Sequence, residues 1–182
     1  MPLTDPALLH PILLSAAAMA LLFAAAHDIA VRTVPNLVSL IVAATGLGSN
    51  ALVGQLVPAL FGGGLVFAGC WYCWRHGWIG GGDVKLLSAC SLLVPPAAVP
   101  ELVLATAVAG GMLALFYLAL GLALKAALPR RLPGSATPRP TGLLGRIWRA
   151  ERRRIRRRLS LPYACAISAG VLLTLYNPVP IG

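Results

Sequence analysis

Six runs of mainly apolar residues follow one another along this chain and account for most of its 182 residues. They cover approximately 8–26, 37–53, 58–74, 86–99, 102–124 and 159–175. A run of about 20 apolar residues crosses the hydrocarbon core of a bilayer as a helix. Since no water inside the bilayer can satisfy exposed backbone groups, a helix is the structure expected for every run. The fourth run is the shortest, and it ends around Pro95 and Pro96.

Composition argues against a soluble globular protein. Hydrophobic residues make up 58% of the chain and charged residues 11%, and the mean hydropathy is +0.82. Such a chain has too few polar residues to cover a soluble surface. We therefore predict an all-α polytopic membrane protein with six transmembrane helices, built as a single domain over residues 1–182.

The basic residues give this predicted bundle an orientation. All fifteen Lys and Arg residues lie after the first, third or fifth run. They are Arg32, Arg75, Lys85, Lys125, Arg130, Arg131, Arg139, Arg146, Arg149, Arg152, Arg153, Arg154, Arg156, Arg157 and Arg158. Because loops rich in Lys and Arg stay in the cytoplasm, these three loops are predicted to be cytoplasmic. Both termini are then predicted to lie outside the cytoplasm.

Two of the five acidic residues lie at predicted cytoplasmic ends of apolar runs. Asp28 follows the first run and Asp83 precedes the fourth, so both are expected at a similar depth. An Asp at the centre of a membrane helix costs about 2.5–3.5 kcal/mol, and acids in such segments are usually functional. Gly80, Gly81 and Gly82 directly precede Asp83, and glycines allow another backbone to approach closely. The two carboxylates can therefore meet in a small bundle, with open space beside them.

A pair of carboxylates points to the chemistry of an aspartyl protease. Two carboxyl groups held close together cannot both ionise, so they share a proton. The ionised group can activate a water molecule while the protonated group polarises the scissile carbonyl, and neither a metal nor a cofactor is required. The charge pattern alone leaves an equal alternative, in which Asp28 pairs with Arg32 and Asp83 with Lys85, or each acid caps a helix.

Three motifs of the chain resemble those of type IV prepilin peptidases, intramembrane aspartyl proteases of the Gly-x-Gly-Asp kind. Residues 80–86 read Gly-Gly-Gly-Asp-Val-Lys-Leu and match the motif that names this kind of protease. Asp28 is followed seven residues later by Pro35 and Asn36, at the start of the second run. Residues 161–164 read Leu-Pro-Tyr-Ala and resemble the Pro-Tyr/Phe segment of the family's last span. A Gly-x-Gly-Asp alone is a weak signal, but the combination in this order is specific.

The resemblance implies a role for each matched residue. Asp28 and Asp83 correspond to the two catalytic aspartates. The supporting or substrate-binding residues that it implies are Gly80, Gly81, Gly82, Lys85, Pro35 and Asn36. It also implies an endopeptidase that removes the leader peptide of type IV pilin-like precursors at the cytoplasmic face of the inner (cytoplasmic) membrane.

The short link between the first two runs indicates which form of the family the chain resembles. Longer members of the family carry a soluble domain at this place, with two Cys-x-x-Cys pairs and an N-methyltransferase activity. Here residues 27–36 are all that joins the runs, so the chain resembles the short form, which serves Flp/Tad-type pili, or the archaeal form. Methyltransferase activity is not expected. Cys70 and Cys73 have the spacing of a zinc or redox pair, but no second pair exists, and we interpret them as packing residues of the third run.

The segment 125–158 carries twelve of the fifteen basic residues. We interpret it as a cytoplasmic loop that lies on anionic lipid, where each Lys or Arg contributes about 1 kcal/mol. Because the segment is tethered to the membrane, nucleic acid is not expected as a partner.

Two other classes of protein remain as alternatives. A small channel or transporter could use Asp28 and Asp83 as cation or proton sites. A membrane scaffold could hold the same acids in separate ion pairs. The position of both acids at one end of the bundle argues against a continuous ion path.

Overall fold

A computed structural model describes residues 6–127 and 161–176 of the chain, and these residues form helices and turns only. The helices are α1 (Pro6–Val31), α2 (Asn36–Leu52), α3 (Leu56–Arg75), α4 (Gly81–Ser91), a 3-10 turn (Pro96–Ala98), α5 (Val99–Ala127) and α6 (Tyr163–Tyr176). The described part thus contains six α-helices and no strand. The prediction of an all-α fold is confirmed.

Three helices are long and apolar enough to cross a membrane. They are α1, α3 and the segment Pro96–Ala123, which includes most of α5. The apolar helices α2 and α6 are shorter, at 17 and 14 residues. The membrane character of the chain is therefore confirmed, while six complete spans and the side on which each terminus lies stay predictions.

The fourth apolar run differs from its predicted form. Helix α4 begins at Gly81 rather than near residue 86, because Gly80 is extended (φ −75°, ψ 144°) and Asp83 in the first turn suits the positive end of a helix dipole. It ends at Ser91 rather than near residue 99. Pro95 is extended (φ −53°, ψ 144°), as a residue before a proline prefers to be, so the helix cannot run on. The run is an 11-residue helix followed by a 3-10 turn.

The end of α4 is held by a buried amide. Asn50 of α2 is 5% exposed, and its Nδ2 donates to the Leu92 carbonyl over 2.7 Å. That carbonyl is one of the groups that the end of a helix leaves unsatisfied. At the same level, a Cβ placed on Gly46 would lie 2.5 Å from the Leu92 oxygen, so only a glycine lets α2 approach this closely.

A four-residue turn joins α1 to α2, and its first residue, Arg32, ends α1. Arg32 takes a left-handed conformation (φ 64°) while its N–H still donates to the Asp28 carbonyl over 2.9 Å. This conformation costs a non-glycine residue about 1–2 kcal/mol and ends the helix. The His27 Nδ1–H donates to the Thr33 carbonyl over 2.7 Å, which stabilises the turn. Pro35 then caps α2 in an extended conformation.

The core lies where α1, α2, α4 and α6 pack together. Helix α1 packs on α2 and α6, and α4 packs on α2, α3 and α6. Fully buried apolar side chains from all four helices meet there: Ala17, Leu21, Ala24, Val42, Leu86, Ile167 and Val171. The small residues among them permit the close approach on which helix association in lipid depends.

Contacts divide the chain into two units. The first comprises Met1–Gly110 and Pro162–Gly182, and it contains every predicted site residue. The second is Gly111–Leu161, whose described part consists mainly of the end of α5. Residues 128–158 of the basic segment lie outside the described residues, as do Asp5 and Glu151.

Candidate active site

Asp28 lies in the last turn of α1 and is the one buried acid among the described residues. Its side chain is 6% exposed. Carboxylate Oδ2 accepts a hydrogen bond of 3.1 Å from the backbone N–H of Ala164, in the first turn of α6. The N–H groups at the start of a helix have no partner within the helix and favour an anion. The start of α6 therefore holds the Asp28 carboxylate in place.

A ladder of hydrogen bonds between α6 and α1 leads to this contact. The Ser168 hydroxyl donates to the Leu21 carbonyl over 3.1 Å, and Cys165 Sγ donates to the Ala25 carbonyl over 3.5 Å. Leu21, Ala25 and Asp28 follow one another at the i, i+4, i+7 spacing of a single helix face. Because the partners on α6 run in the opposite order, the two helices are antiparallel along this face. The ladder fixes the height of Ala164 against Asp28.

Asp83 lies in the first turn of α4, three residues after the capping residue. Its backbone N–H donates to the Gly80 carbonyl over 3.1 Å. In return the Gly80 N–H donates to the Asp83 carboxylate. The second bond is the carboxylate half of a capping box, while a backbone carbonyl takes the place of the side chain that glycine lacks. The local sequence therefore fixes where the carboxylate of Asp83 points.

The two carboxylates interact electrostatically although they come from different helices. Burial, and second the negative charge of Asp28, raise the pKa of Asp83 from 3.8 to about 6. The hydrogen bond from the Gly80 N–H opposes this shift. A raised pKa beside a second carboxylate is the property that lets two acids share one proton near neutral pH. The two acids that the sequence suggested, on α1 and α4, therefore lie near enough to each other to interact electrostatically.

Lys85 and Asn36 connect the two helices that flank the pair. Lys85 Nζ donates to Asn36 Oδ1 over 3.1 Å, so the first turns of α2 and α4 are tied together. Asn36 is the first residue of α2, directly after Pro35. Both side chains are exposed, which limits the contribution of this bond to about 0.5–1.5 kcal/mol. Lys85 thus bonds to Asn36, and the supporting role of both residues stays a prediction.

The three glycines before Asp83 have different surroundings. A Cβ on Gly80 would lie 2.9 Å from Asp83 Oδ2, and one on Gly81 would lie 3.2 Å from Trp74 Nε1. A Cβ on Gly82 would lie 3.7 Å from the Val34 Cβ, which is an ordinary contact. Gly80 is therefore the glycine whose missing side chain leaves room for the Asp83 carboxylate.

The residues at the start of α6 were not among the site residues that the sequence suggested. Ala164 binds Asp28 through its backbone, and a backbone donor leaves no mark in the side-chain pattern. Tyr163 belongs to the Leu-Pro-Tyr-Ala motif and directly precedes Ala164, but the motif did not predict the contact between Ala164 and Asp28. Pro162 before the last apolar run, in a position that starts helices well, was the available signal.

Metal-ligand chemistry was not expected here. Within residues 6–123 and 161–176, no group of three His, Cys, Asp or Glu side chains could hold an ion. Cys70 and Cys73 lie on α3 as unbridged thiols.

The family model for the type IV leader peptidase family matches residues 15–115. The chain belongs to this family. The matched segment contains Asp28, the Pro35-Asn36 pair and the whole of residues 80–86, whereas α6 lies beyond it. No curated protein and no solved structure matches the chain. Membership makes the protein a peptidase, and the expected resemblance is confirmed.

Proposed function

We propose that this leader peptidase is an intramembrane aspartyl endopeptidase, with Asp28 and Asp83 as its catalytic pair. The observation that carries the proposal is the placing of Asp83 in a partly buried position where burial, and second the charge of Asp28, raise its pKa to about 6. Both acids lie within the segment that matches the family. The third acid among the described residues, Glu101, lies on another helix, in the first turn of α5.

The reaction needs one proton on the pair. The ionised carboxylate takes a proton from a water molecule, whose oxygen bonds to the scissile carbonyl carbon. The protonated carboxyl group donates to the carbonyl oxygen as that oxygen gains charge. When the carbon–nitrogen bond breaks, the amine leaves with a proton from the pair, and one water has been added across the peptide bond. General acid–base catalysis of this kind contributes about 10²–10⁴-fold per group.

The proposed substrate is a type IV pilin-like precursor with a basic leader and an apolar helix. Four residues, 32–35, separate α1 from α2, so this position holds no soluble domain of the methyltransferase kind. This favours the short form that serves Flp/Tad-type or archaeal pili, without methylation. The three long apolar helices support a site within the membrane. The distribution of Lys and Arg supports cleavage at the cytoplasmic face.

Reconstituted enzyme tests the proposal. The full chain is placed in vesicles of phosphatidylethanolamine and phosphatidylglycerol with a pilin-like precursor, and mass spectrometry locates the cut. We expect one cut between leader and helix, lost in Asp28→Asn and in Asp83→Asn but kept in Glu101→Gln. Full cleavage by either Asn variant would exclude the pair as the catalyst. An ion flux that depends on both acids, without any cleavage, would favour the channel alternative.

A further inference from the structure

Ser168 is a buried serine of α6 whose hydroxyl bonds to another helix. Its side chain is 3% exposed, and its hydroxyl donates to the Leu21 carbonyl of α1 over 3.1 Å. Leu21 lies inside α1, where its carbonyl also accepts the N–H four residues further on. The bond from Ser168 is therefore an additional one, which joins α6 to α1 without being needed to satisfy the backbone of α1.

The direction of this bond sets Ser168 apart from other hydroxyl residues of the protein. A Ser or Thr side chain within a helix can bond to the carbonyl three or four residues earlier in the same helix. Several hydroxyls of the described helices do so: Ser15, Thr45, Ser88, Ser91 and Thr174. Thr174 is the closest comparison, because it lies on α6, is 4% exposed and bonds to the Gly170 carbonyl over 2.9 Å. The bond of Ser168 fixes one helix against another, whereas the bond of Thr174 stays within α6.

The bond of Ser168 lies one helical turn from the group that holds Asp28. Ala164 precedes Ser168 by four residues, or about 6 Å along α6, so the two lie on the same face of the helix. The Ala164 N–H donates to Asp28 Oδ2 over 3.1 Å, and both residues are buried. The Leu21 carbonyl belongs to the backbone of α1 and cannot follow a moving side chain. Ser168 therefore resists a sliding of α6 along α1, which would take the Ala164 N–H away from the carboxylate.

We propose that Ser168 is a positioning residue of the peptidase, whose bond to Leu21 holds α6 at the height at which the Ala164 N–H meets Asp28. This inference rests on the proposed role of Asp28 in catalysis. A carboxylate that activates water must keep its place, since a misplacement of 1 Å can cost about 10²-fold in rate. Ser168 acts through α6 and needs no contact with substrate. Helix α6 lies beyond the segment that matches the family, so the match assigns no role to this residue.

Removal of the hydroxyl is the first test. Ser168→Ala leaves the Leu21 carbonyl bonded within α1, so the bundle should still fold. We expect kcat for the pilin-like precursor in vesicles to fall about tenfold with KM nearly unchanged, because the carboxylate shifts while the surface that binds substrate does not. Ser168→Cys keeps a weaker donor, and its kcat should lie between those of Ser168→Ala and the wild type.

Thr174→Val is the matched control. It also removes a buried hydroxyl from α6 and keeps the shape of the side chain, but the lost bond lies within α6. We expect the kcat of the wild type.

A second measurement follows the contact itself and needs no substrate. The exchange rate of the Ala164 amide hydrogen is measured by NMR on the full chain in lipid nanodiscs, since exchange reports local opening. We expect the rate to rise at least several-fold in Ser168→Ala and to stay at the wild-type value in Thr174→Val.

The outcomes separate this inference from the function on which it rests. An unchanged kcat in Ser168→Ala, with Asp28→Asn inactive, would overturn the positioning role and leave the catalytic pair in place. A lower kcat without faster exchange at Ala164 would also overturn it, because Ser168 would then act by another route. An equal loss of kcat in Thr174→Val would overturn it as well, since any buried hydroxyl of α6 would then have the same effect. A fully active Asp28→Asn variant would overturn the proposed function itself.

Discussion

Gly80→Ala is a small substitution whose effect on catalysis can be worked out from the structure. The added Cβ would lie 2.9 Å from Asp83 Oδ2, whereas ordinary contacts begin at 3.4 Å. The carboxylate must therefore move by the difference, 3.4 − 2.9 Å, or about half an ångström. Since a misplacement of 1 Å can cost about 10²-fold in rate, we expect kcat/KM to fall about tenfold. The backbone at Gly80 has an extended φ of −75°, so an alanine adds no backbone strain.

Gly82→Ala is the matched control within the same motif. Its Cβ would lie 3.7 Å from Val34, and alanine is preferred over glycine inside a helix by about 1 kcal/mol. We expect activity close to the wild type and an equal or higher melting temperature. For Gly80→Ala, alanine caps a helix less well than glycine, and the loss of stability should stay near 1 kcal/mol or below.

The assay measures initial rates of precursor cleavage in vesicles, together with thermal unfolding. Activity close to the wild type in both variants would refute the argument that Gly80 makes room for Asp83. An equal and large loss in both would mean that the glycines leave room for the substrate instead, since no side chain of the enzyme crowds Gly82.

Three further predictions follow from other contacts. The pKa of Asp83 is raised from 3.8 to about 6, so its protonated form stabilises the folded state below about pH 4, and this stabilisation is lost as pH rises through 6. The melting temperature should therefore fall between pH 4 and pH 6, and Asp83→Asn should make it less dependent on pH. Gly170→Ala should destabilise by about 1–3 kcal/mol, because its Cβ would lie 2.8 Å from a backbone nitrogen of α5, whereas Gly64→Ala, with no described atom within 4 Å, should not. Lys85→Met and Asn36→Ala should each lower the cleavage rate a few-fold, because each removes the same hydrogen bond. The double variant should then lose no more activity than either single variant, and additive losses would contradict a shared hydrogen bond as the cause.

Local patterns in the sequence were sufficient for most helices. The apolar runs place α2 at 37–53 and α3 at 58–74, and the structure has Asn36–Leu52 and Leu56–Arg75. These runs work because a membrane-spanning helix is apolar around its whole surface, so its length is visible directly. The length of the fourth apolar run did not predict the length of its helix. Residues 92–98 are apolar, but they contain a Pro-Pro pair that ends the helix.

The contacts between helices that form the site could not be predicted from local sequence patterns. The bond from Ala164 to Asp28 joins residues 136 positions apart, and the bond from Lys85 to Asn36 joins residues 49 apart. Such pairs depend on which helices pack and at what height, and neither is encoded in a periodic pattern. The left-handed Arg32 is a second example, since a non-glycine residue carries no signal for a positive φ.

The central claim is that Asp28 and Asp83 act as one catalytic unit. The most direct measurement compares the cleavage rates of Asp28→Asn, Asp83→Asn and the double variant on the same precursor in vesicles. Residues that act as a unit are not additive, so each single variant should lose as much activity as the double variant, by about 10⁴-fold or more. Separate, additive losses, or substantial activity in either single variant, would contradict the account.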